Sequence, residues 1–176
     1  MTEKRRFLTR GRVIRWAIYL AVLAIVLTRF QRFGCSRIGS DAALAMKPVL
    51  LQGKSYLVDE EPDEELMRDA IVFWYTVEGG QALPHYSRVR GIPGDVLKRT
   101  GETWAFEDGA GEPFYLPRDL QEAPLMPLVG QRLGKSQYFL LNDNRSVDLP
   151  DSRTLGLIDR KWIRARILPS LFGADR

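Results

Sequence analysis

The sequence predicts an all-β domain that follows a single N-terminal apolar helix. Short runs rich in branched and aromatic residues recur along the chain and are separated by Gly- or Pro-containing turns, a pattern typical of strands. One longer run is apolar on every face, which excludes an ordinary amphipathic surface helix. The predicted strands cover residues 54–58, 70–77, 86–90, 103–106, 114–116, 138–141 and 162–168. We expect little helix beyond residues 10–33.

The longer apolar run, residues 16–27, contains no charged side chain. It is shorter than the about 20 residues that cross a bilayer, but Arg15 and Arg29 at its ends can extend to the two interfaces. A cleaved signal peptide is the alternative, but its best small-x-small site, at residues 43–45, lies too far beyond the run. We therefore predict an uncleaved signal anchor over residues 13–33 that contacts membrane lipid.

The net charge of +4 is unevenly distributed along the chain. The first fifteen residues hold six basic side chains and one acidic side chain, which leaves 20 basic and 21 acidic residues for the rest. The remainder is close to neutral, which argues against nucleic acid as a partner. The basic tail over residues 1–12 predicts a cytoplasmic N-terminus. The domain over residues 34–168 and the tail over residues 169–176 would then lie outside the cell membrane.

The length and the scarcity of Cys and His limit what the domain can contain. With 176 residues there is room for one domain with a sizeable core. Cys35 is the single cysteine and His85 the single histidine, so neither an intrachain disulfide nor a Cys/His metal cluster is possible. We expect no metal and no cofactor.

Two polar stretches that follow predicted strands carry the most informative residues. Residues 91–95, Gly-Ile-Pro-Gly-Asp, predict a turn in which Pro fixes φ and Gly supplies a positive φ. Residues 142–145, Asn-Asp-Asn-Arg, follow the buried run at 138–141, and Asp-Ser-Arg at 151–153 leads to Gly156. Two Asp/Arg sets in one loop usually pair with each other or with a neighbour. Taken alone, the loop is interpreted as a structural clasp.

The two stretches, in this order and spacing, resemble the type I signal peptidase family of membrane-anchored Ser/Lys leader peptidases, over about residues 13–168. The resemblance implies an antiparallel, partly closed β-sheet domain and hydrolysis of the peptide bond after small-x-small in exported proteins. It also implies that Arg88 pairs with Asp143, and that Asp151 pairs with Arg153 or a close neighbour. The matching motif residues are Arg88, Gly91, Pro93, Gly94, Asp95, Asp143, Asn144, Arg145, Asp151, Ser152 and Arg153.

The positions that carry the chemistry in the resembling family hold other residues in this chain. The family's serine nucleophile falls on Ala45, and its lysine general base falls on Ser87. A hydroxyl that helps to bind the oxyanion falls on Ala43, and a serine that holds the lysine falls on Leu149. The family's peptide-binding strand corresponds to a segment in which Ala43, Met46 and Pro48 would contact the peptide.

These replacements predict a signal peptidase-like protein that does not cleave. It would recognise signal peptides or pilin-like exported proteins and aid their processing or assembly, and a second membrane protein is a further candidate partner. One alternative is an active serine endopeptidase with relocated groups, Ser40 or Ser87 as nucleophile and His85 or Lys47 as base. His85 is predicted on the same strand face as Ser87. The other alternative is a structural membrane partner that binds no peptide.

Overall fold

The computed structural model describes residues 10–30, 32–62, 65–117, 125 and 128–168, without the side chains of residues 10, 11, 28–30, 40 and 42. Predictions for the tails at residues 1–9 and 169–176 lie outside the described residues. The chain divides into two compact units, residues 1–33 and residues 34–176.

The first unit contains helix α1, Arg10–Phe30. Its described apolar side chains are exposed, including Trp16, Tyr19 and Leu23. The helix covers most of residues 13–33, the segment in which the sequence predicts a membrane anchor. Among the described residues, however, no helix reaches the length and apolar character that crossing a membrane requires.

The second unit is built from short strands. They are β1 Phe33–Arg37, β2 Ser55–Asp59, β3 Ile71–Glu78, β4 Gln81–Gly91, β5 Val96–Thr100, β6 Thr103–Glu107, β7 Pro113–Tyr115, β8 Gln137–Leu141, β9 Ile158–Asp159 and β10 Ile163–Ile167. Two short helices, α2 Ser40–Ala45 and α3 Ser152–Leu155, and a 3-10 turn at Arg160–Trp162 accompany them.

The described strands form one large sheet and one small sheet. The large sheet has seven strands in the order β1-β2-β10-β3-β4-β8-β9, and the small sheet has three in the order β5-β6-β7. The strand pairs with a described register are antiparallel. The predicted antiparallel β domain with little additional helix is confirmed. Each predicted strand is present, with bounds shifted by one to five residues.

Residues 32–51 form regular structure that was not predicted from the sequence. They contain β1, which joins the edge of the large sheet, and α2. The two alanines of α2 that face inward, Ala43 and Ala45, are almost fully buried. Alanine has the highest helix propensity, which helps so short a helix to form. A six-residue helix gives too few turns for its periodicity to be recognised in the sequence.

Two glycines, Gly91 at the end of β4 and Gly94 in the turn after it, are required for different physical reasons. A Cβ on Gly91 would lie 2.8 Å from the Phe106 ring and 2.9 Å from Phe139, so the backbone approaches the core closely there. Gly94 has a φ of 91°, which side chains rarely tolerate. The loop therefore keeps its glycines for packing and for its turn, independently of any chemistry.

Candidate functional site

The segment at the family's nucleophile position is fixed by burial and by one asparagine. Ala43 and Ala45 project from α2 into a buried cluster with Met46, Leu50 and Tyr86. The backbone N–H of Asn144 donates to the Ala45 carbonyl at 2.9 Å, and its Nδ2 donates to the Leu44 carbonyl at 2.9 Å. The loop at residues 142–145 therefore holds the backbone of residues 44–45 directly. At Ala45 this position has no nucleophilic atom.

Ser87, at the family's base position, lies inside a buried hydrogen-bond network. Its side chain is fully buried. The hydroxyl accepts a hydrogen bond from Trp74 Nε1 at 3.1 Å and donates to Asn142 Oδ1 at 2.8 Å. Asn142 in turn donates from Nδ2 to the Leu149 carbonyl at 3.0 Å. The network occupies the one proton of the Ser87 hydroxyl and leaves no group that could act as a base.

The side chains of Ala45 and Ser87 belong to different groups of the core. Successive residues of a strand point to opposite faces of the sheet. Tyr86 packs in the cluster that contains Ala45, whereas Ser87 lies on the opposite face of β4 and bonds to Trp74. The structure thus brings Asn144 to the backbone of Ala45 and the side chain of Asn142 to Ser87.

His85, the relocated base candidate, packs against an indole. Its ring centroid lies 4.7 Å from that of Trp74, and Nε2 lies 2.7 Å from Thr76 Oγ1. Trp74 pairs with His85 across the two strands and Val72 pairs with Ser87, so His85 and Ser87 share a face as predicted. Burial lowers the pKa of His85 below 6.5, while the charge of Glu78 opposes this shift. The imidazole is therefore neutral at pH 7 and is bonded to Thr76 Oγ1.

Lys47 and Ser40 are the other candidates for relocated catalytic groups. Lys47 is exposed and lines an open cleft. A lysine that acts as a base needs an apolar enclosure to favour its neutral form. Ser40 begins α2, and its side chain lies outside the described part of the structure.

The predicted ion pairs are confirmed. Arg88 donates from Nε and Nη2 to the two carboxylate oxygens of Asp143, at 2.8 and 2.5 Å, and this hydrogen bonding raises the pKa of Arg88. Arg153 donates from Nε to both oxygens of Asp151, at 3.0 and 2.9 Å. Each carboxylate is held by a two-point contact. Both pairs are also largely shielded from water.

Asp151 has further partners that fix the loop. Its carboxylate accepts from the Asn142 N–H at 3.0 Å and, as the N-cap of α3, from the Arg153 N–H at 2.8 Å. The neighbouring Ser152 accepts from the Leu140 N–H at 2.8 Å. Asp-Ser-Arg at residues 151–153 therefore ties α3 to β8.

Asp95 closes the turn after β4. It is buried, and it accepts from the Ile92 N–H at 2.8 Å and from Arg68 Nη2 at 2.5 Å. Burial raises the pKa of Asp95, and the bonds from Ile92 and Arg68 act against that rise. Its role in the structure is to fix the turn.

Several contacts were not predicted from the sequence. Trp74 and Asn142 complete the Ser87 network from other strands and loops. Arg90 pairs with Asp69 at 2.5 Å, and Asp69 has a positive φ of 66°. The alternation of Arg88 and Arg90 along β4 placed both guanidiniums on one face, but nothing near them in the sequence identified Asp69.

The loop at residues 142–153 borders an open cleft of about 660 Å³. The lining residues are Lys47, Pro48, Asp143, Asn144, Arg145, Ser146 and Arg153. Of the residues predicted to contact a peptide, Pro48 lines this cleft, whereas Ala43 and Met46 are buried in the core. Ala43 and Met46 are therefore not exposed to a peptide at the surface.

The sequence profile of the family described as signal peptidase, peptidase S26, matches residues 11–171. The chain belongs to this signal peptidase family. It is also similar to a protein named signal peptidase I from Bacillus licheniformis, with 27% identity over 174 residues, covering 93% of this chain and 90% of the relative. The resemblance inferred from the two motifs is confirmed. The family assignment therefore applies to a chain whose nucleophile and base positions hold Ala45 and Ser87.

Proposed function

We propose that this member of the signal peptidase family binds exported proteins at their small-x-small segments without cleaving them. The proposal rests on which residues occupy the positions of the family's nucleophile and base. Ala45 has no nucleophilic atom, and the Ser87 hydroxyl donates to Asn142 and accepts from Trp74. An alcohol has a pKa far above 7 and is unsuited to abstract a proton. Loss of the nucleophile lowers the rate of a comparable serine hydrolase by about 10⁶-fold.

Peptide recognition requires less than catalysis does. An extended peptide can bind through main-chain hydrogen bonds and shallow pockets for alternate side chains, and this requires no reactive group. The segment at residues 43–48 is the end of α2 and the turn after it rather than a strand, and it is held by Asn144 and by a buried cluster. These contacts support a binding surface that outlasts the chemistry. The clients would be signal peptides or pilin-like exported proteins, whose processing or assembly the protein would aid.

We also propose that residues 13–33 hold the protein at the cell membrane, with the β domain on the outer side and a second membrane protein as a further candidate partner. Support comes from the exposed apolar side chains of α1, such as Ile18 and Leu20, and from the basic tail at residues 1–12. An extracytoplasmic reporter enzyme fused after residue 176 should be active, and a cytoplasmic reporter at the same place inactive. Activity of the cytoplasmic reporter would refute this orientation.

The first experiment separates binding from cleavage. The full-length protein in detergent is incubated with a labelled fluorophosphonate and, separately, with a fluorescent Ala-x-Ala peptide. We expect no covalent label, no hydrolysis, and an increase in peptide anisotropy. Label on Ser40 or Ser87 would favour the active enzyme with relocated groups. Absence of both cleavage and binding would favour the structural partner.

A second experiment restores the two reactive groups together. Nucleophile and base act as a unit, so either change alone should do little. Slow cleavage by the double variant Ala45→Ser, Ser87→Lys, with none by the parent, would support a site that has lost its chemistry. Cleavage by the parent at a rate that Ala45→Gly leaves unchanged would contradict the proposal and indicate a relocated site.

A further inference from the structure

Asn142 connects the family's base position to two other segments of the domain. It follows β8 directly and is buried. Its Nδ2 donates to the Leu149 carbonyl at 3.0 Å, its backbone N–H donates to Asp151 Oδ2 at 3.0 Å, and its Oδ1 accepts from the Ser87 hydroxyl at 2.8 Å. Because a carbonyl oxygen can only accept, Nδ2 has to face Leu149, which directs Oδ1 at Ser87. The side-chain amide therefore has one orientation in this site.

The hydroxyl of Ser87 lies between this amide and the indole of Trp74. An indole N–H can only donate, so the hydroxyl accepts from Trp74 Nε1 and gives its own proton to Asn142. All three side chains are almost fully buried. The side chain of Asn142 therefore occupies the space next to Ser87 Oγ.

A longer side chain at position 87 needs that space. Lysine continues beyond the atom at which serine ends, and a close-packed interior has no spare volume for such an extension. The heavy atoms that lysine has in excess of serine equal in number those that asparagine has in excess of alanine. One amide thus fills the volume that the side chain of a lysine base requires.

The hydrogen-bonding character of the amide acts in the same sense. Oδ1 is an acceptor, and an acceptor beside an amine stabilises its charged form, whereas a base has to be neutral. Trp74 has the opposite effect, because its N–H can donate only to the lone pair of a neutral amine. The apolar cluster around Trp74, which includes Val72, Val89 and Leu140, also disfavours a charge. Among these described neighbours, Asn142 opposes a base both by its size and by its polarity.

We propose that Asn142 is the residue that prevents position 87 from holding a base, because it fills the space of a longer side chain and directs an acceptor at it. The inference rests on the proposed function, and it names the residue that maintains the non-cleaving state. Asn142 acts through position 87, so it is a positioning residue. The same amide fixes the loop that carries Asn144, whose contacts hold residues 44–45.

The filling of space is tested first with an uncharged side chain. Ser87→Met introduces a chain close to lysine in length but without its charge. The full-length protein in detergent is unfolded by urea, with tryptophan fluorescence as the signal. We expect Ser87→Met to lower the urea midpoint, and the added change Asn142→Ala to raise it again, because the two changes are coupled through one volume.

Asn142→Asp in the Ser87→Met background is the matched control. Aspartate has the size of asparagine and frees no space, so the midpoint should stay low. If Asn142→Ala gives no higher midpoint than Ser87→Met alone, or if Asn142→Asp raises the midpoint as much as Asn142→Ala does, the inference is overturned.

The consequence for chemistry is tested in a variant that has both reactive groups. Ala45→Ser with Ser87→Lys is compared with the same pair plus Asn142→Ala, using the fluorescent Ala-x-Ala peptide. We expect the triple variant to cleave at least about tenfold faster, since misplacement of a group by about 1 Å costs up to about 10²-fold. Equal rates of the double and triple variants would contradict the inference.

The pH profile of the triple variant shows whether the lysine acts as a base. Its rate should rise with pH above about pH 7, with a midpoint below about 10.4, the ordinary pKa of lysine. The pKa of His85, on the same strand face, lies below 6.5 because of burial, and the neighbouring charges of Asp151 and Arg88 are paired with Arg153 and Asp143. A gain in stability alone would not produce this rise. A rate that does not rise with pH would overturn the inference.

The parent separates failure of the inference from failure of the proposed function. If the parent binds the peptide without cleaving it and the triple variant is no faster than the double variant, the inference fails and the proposed function stands. If the parent itself cleaves the peptide, the proposed function fails. The comparison in the Ser87→Met background then still decides whether Asn142 excludes a longer side chain.

Discussion

Two sets of positions in the domain differ in how far they keep the residues of the family motifs. The loops at residues 91–95 and 142–153 keep almost every motif residue of the family. The retained residues whose contacts are described bind neighbouring backbone or side-chain groups. The positions of the family's nucleophile and base instead hold Ala45 and Ser87. Arg88 and Asp151 are held by ion pairs, whereas Ala45 fills an apolar cluster and Ser87 a hydrogen-bond network.

This difference shows what the family motifs indicate about a chain. The retained residues close turns, cap α3 and pair strands with loops, so their loss would destabilise the fold whether or not the protein cleaves peptides. The residues at the two reactive positions differ from those of the family, and the fold is kept nevertheless. A motif match therefore identifies this fold and family, while activity has to be judged from Ala45 and Ser87.

The largest effect should come from Asp151, which is fully buried. Asp151→Ala leaves the Arg153 guanidinium and the Asn142 N–H without their acceptor, and breaking such a buried pair costs about 3–5 kcal/mol. Urea unfolding of the full-length protein, followed by tryptophan fluorescence, measures the change in unfolding free energy. The matched control, exposed Asp148→Ala, should stay within about 0.5 kcal/mol. Similar results for the two variants would contradict a structural role for the motif.

Asp143 should have a smaller effect because its side chain remains partly accessible to water. Asp143→Ala should lower the unfolding free energy by about 2–4 kcal/mol, since Arg88 would lose its two-point partner while largely buried. A double-mutant cycle with Arg88→Met isolates the pair, and we expect a coupling energy of at least about 1 kcal/mol. A change within about 0.5 kcal/mol would mean that the pair behaves as an exposed one.

Ser87→Ala should lower the free energy of unfolding by less than either aspartate change, because the partners of Ser87 are neutral. Ser87→Ala leaves Trp74 Nε1 without its acceptor and Asn142 Oδ1 without its donor, which costs about 1–3 kcal/mol in a buried site. Exposed Ser146→Ala serves as the control and should change stability by less than about 0.5 kcal/mol. Equal, small effects of both variants would show that the Ser87 hydroxyl is not engaged and would reopen its candidacy as a nucleophile.

The sequence predicted seven of the ten described strands and the two ion pairs, but it predicted neither β1, β5 and β9 nor the surroundings of the reactive positions. Strand 138–141 was recognisable because a short apolar run between turns has few other interpretations. The Arg88–Asp143 pair was predicted only because the two motifs resemble those of a family. By contrast, the partners of Ser87 lie 13 and 55 residues away in the sequence, and no local pattern links them.

The different surroundings of Ala45 and Ser87 could not be predicted from the sequence for a related reason. Counting residues back from Gly91 assigns Ser87 to the base position, but it does not reveal which side of β4 faces Ala45. That depends on the packing of α2 against Tyr86, and α2 itself was too short to predict. Membership of a core cluster is a property of the assembled sheet and not of any single segment.

The smallest expected effect is on pH dependence, and it tests whether His85 is a packing residue. Its folded pKa lies below the unfolded value of 6.5 because of burial, so the unfolded chain binds a proton first as the pH falls. Stability contributed by the neutral ring is fully present above about pH 6.5 and is lost as the pH falls towards the folded pKa. His85 is the single histidine, so no other side chain of that type obscures the change.

Unfolding free energies of the parent and of His85→Gln, measured between about pH 5 and pH 7, isolate this contribution. The variant loses contact with Trp74 and is less stable throughout, but its curve should be flatter than that of the parent below about pH 6.5. Parallel curves would mean that the ring is solvated. A parent that gains stability relative to the variant on acidification would mean that the ring is charged when folded. That result would revive His85 as an ionisable group of the site and weaken the contrast between the retained loops and the replaced reactive positions.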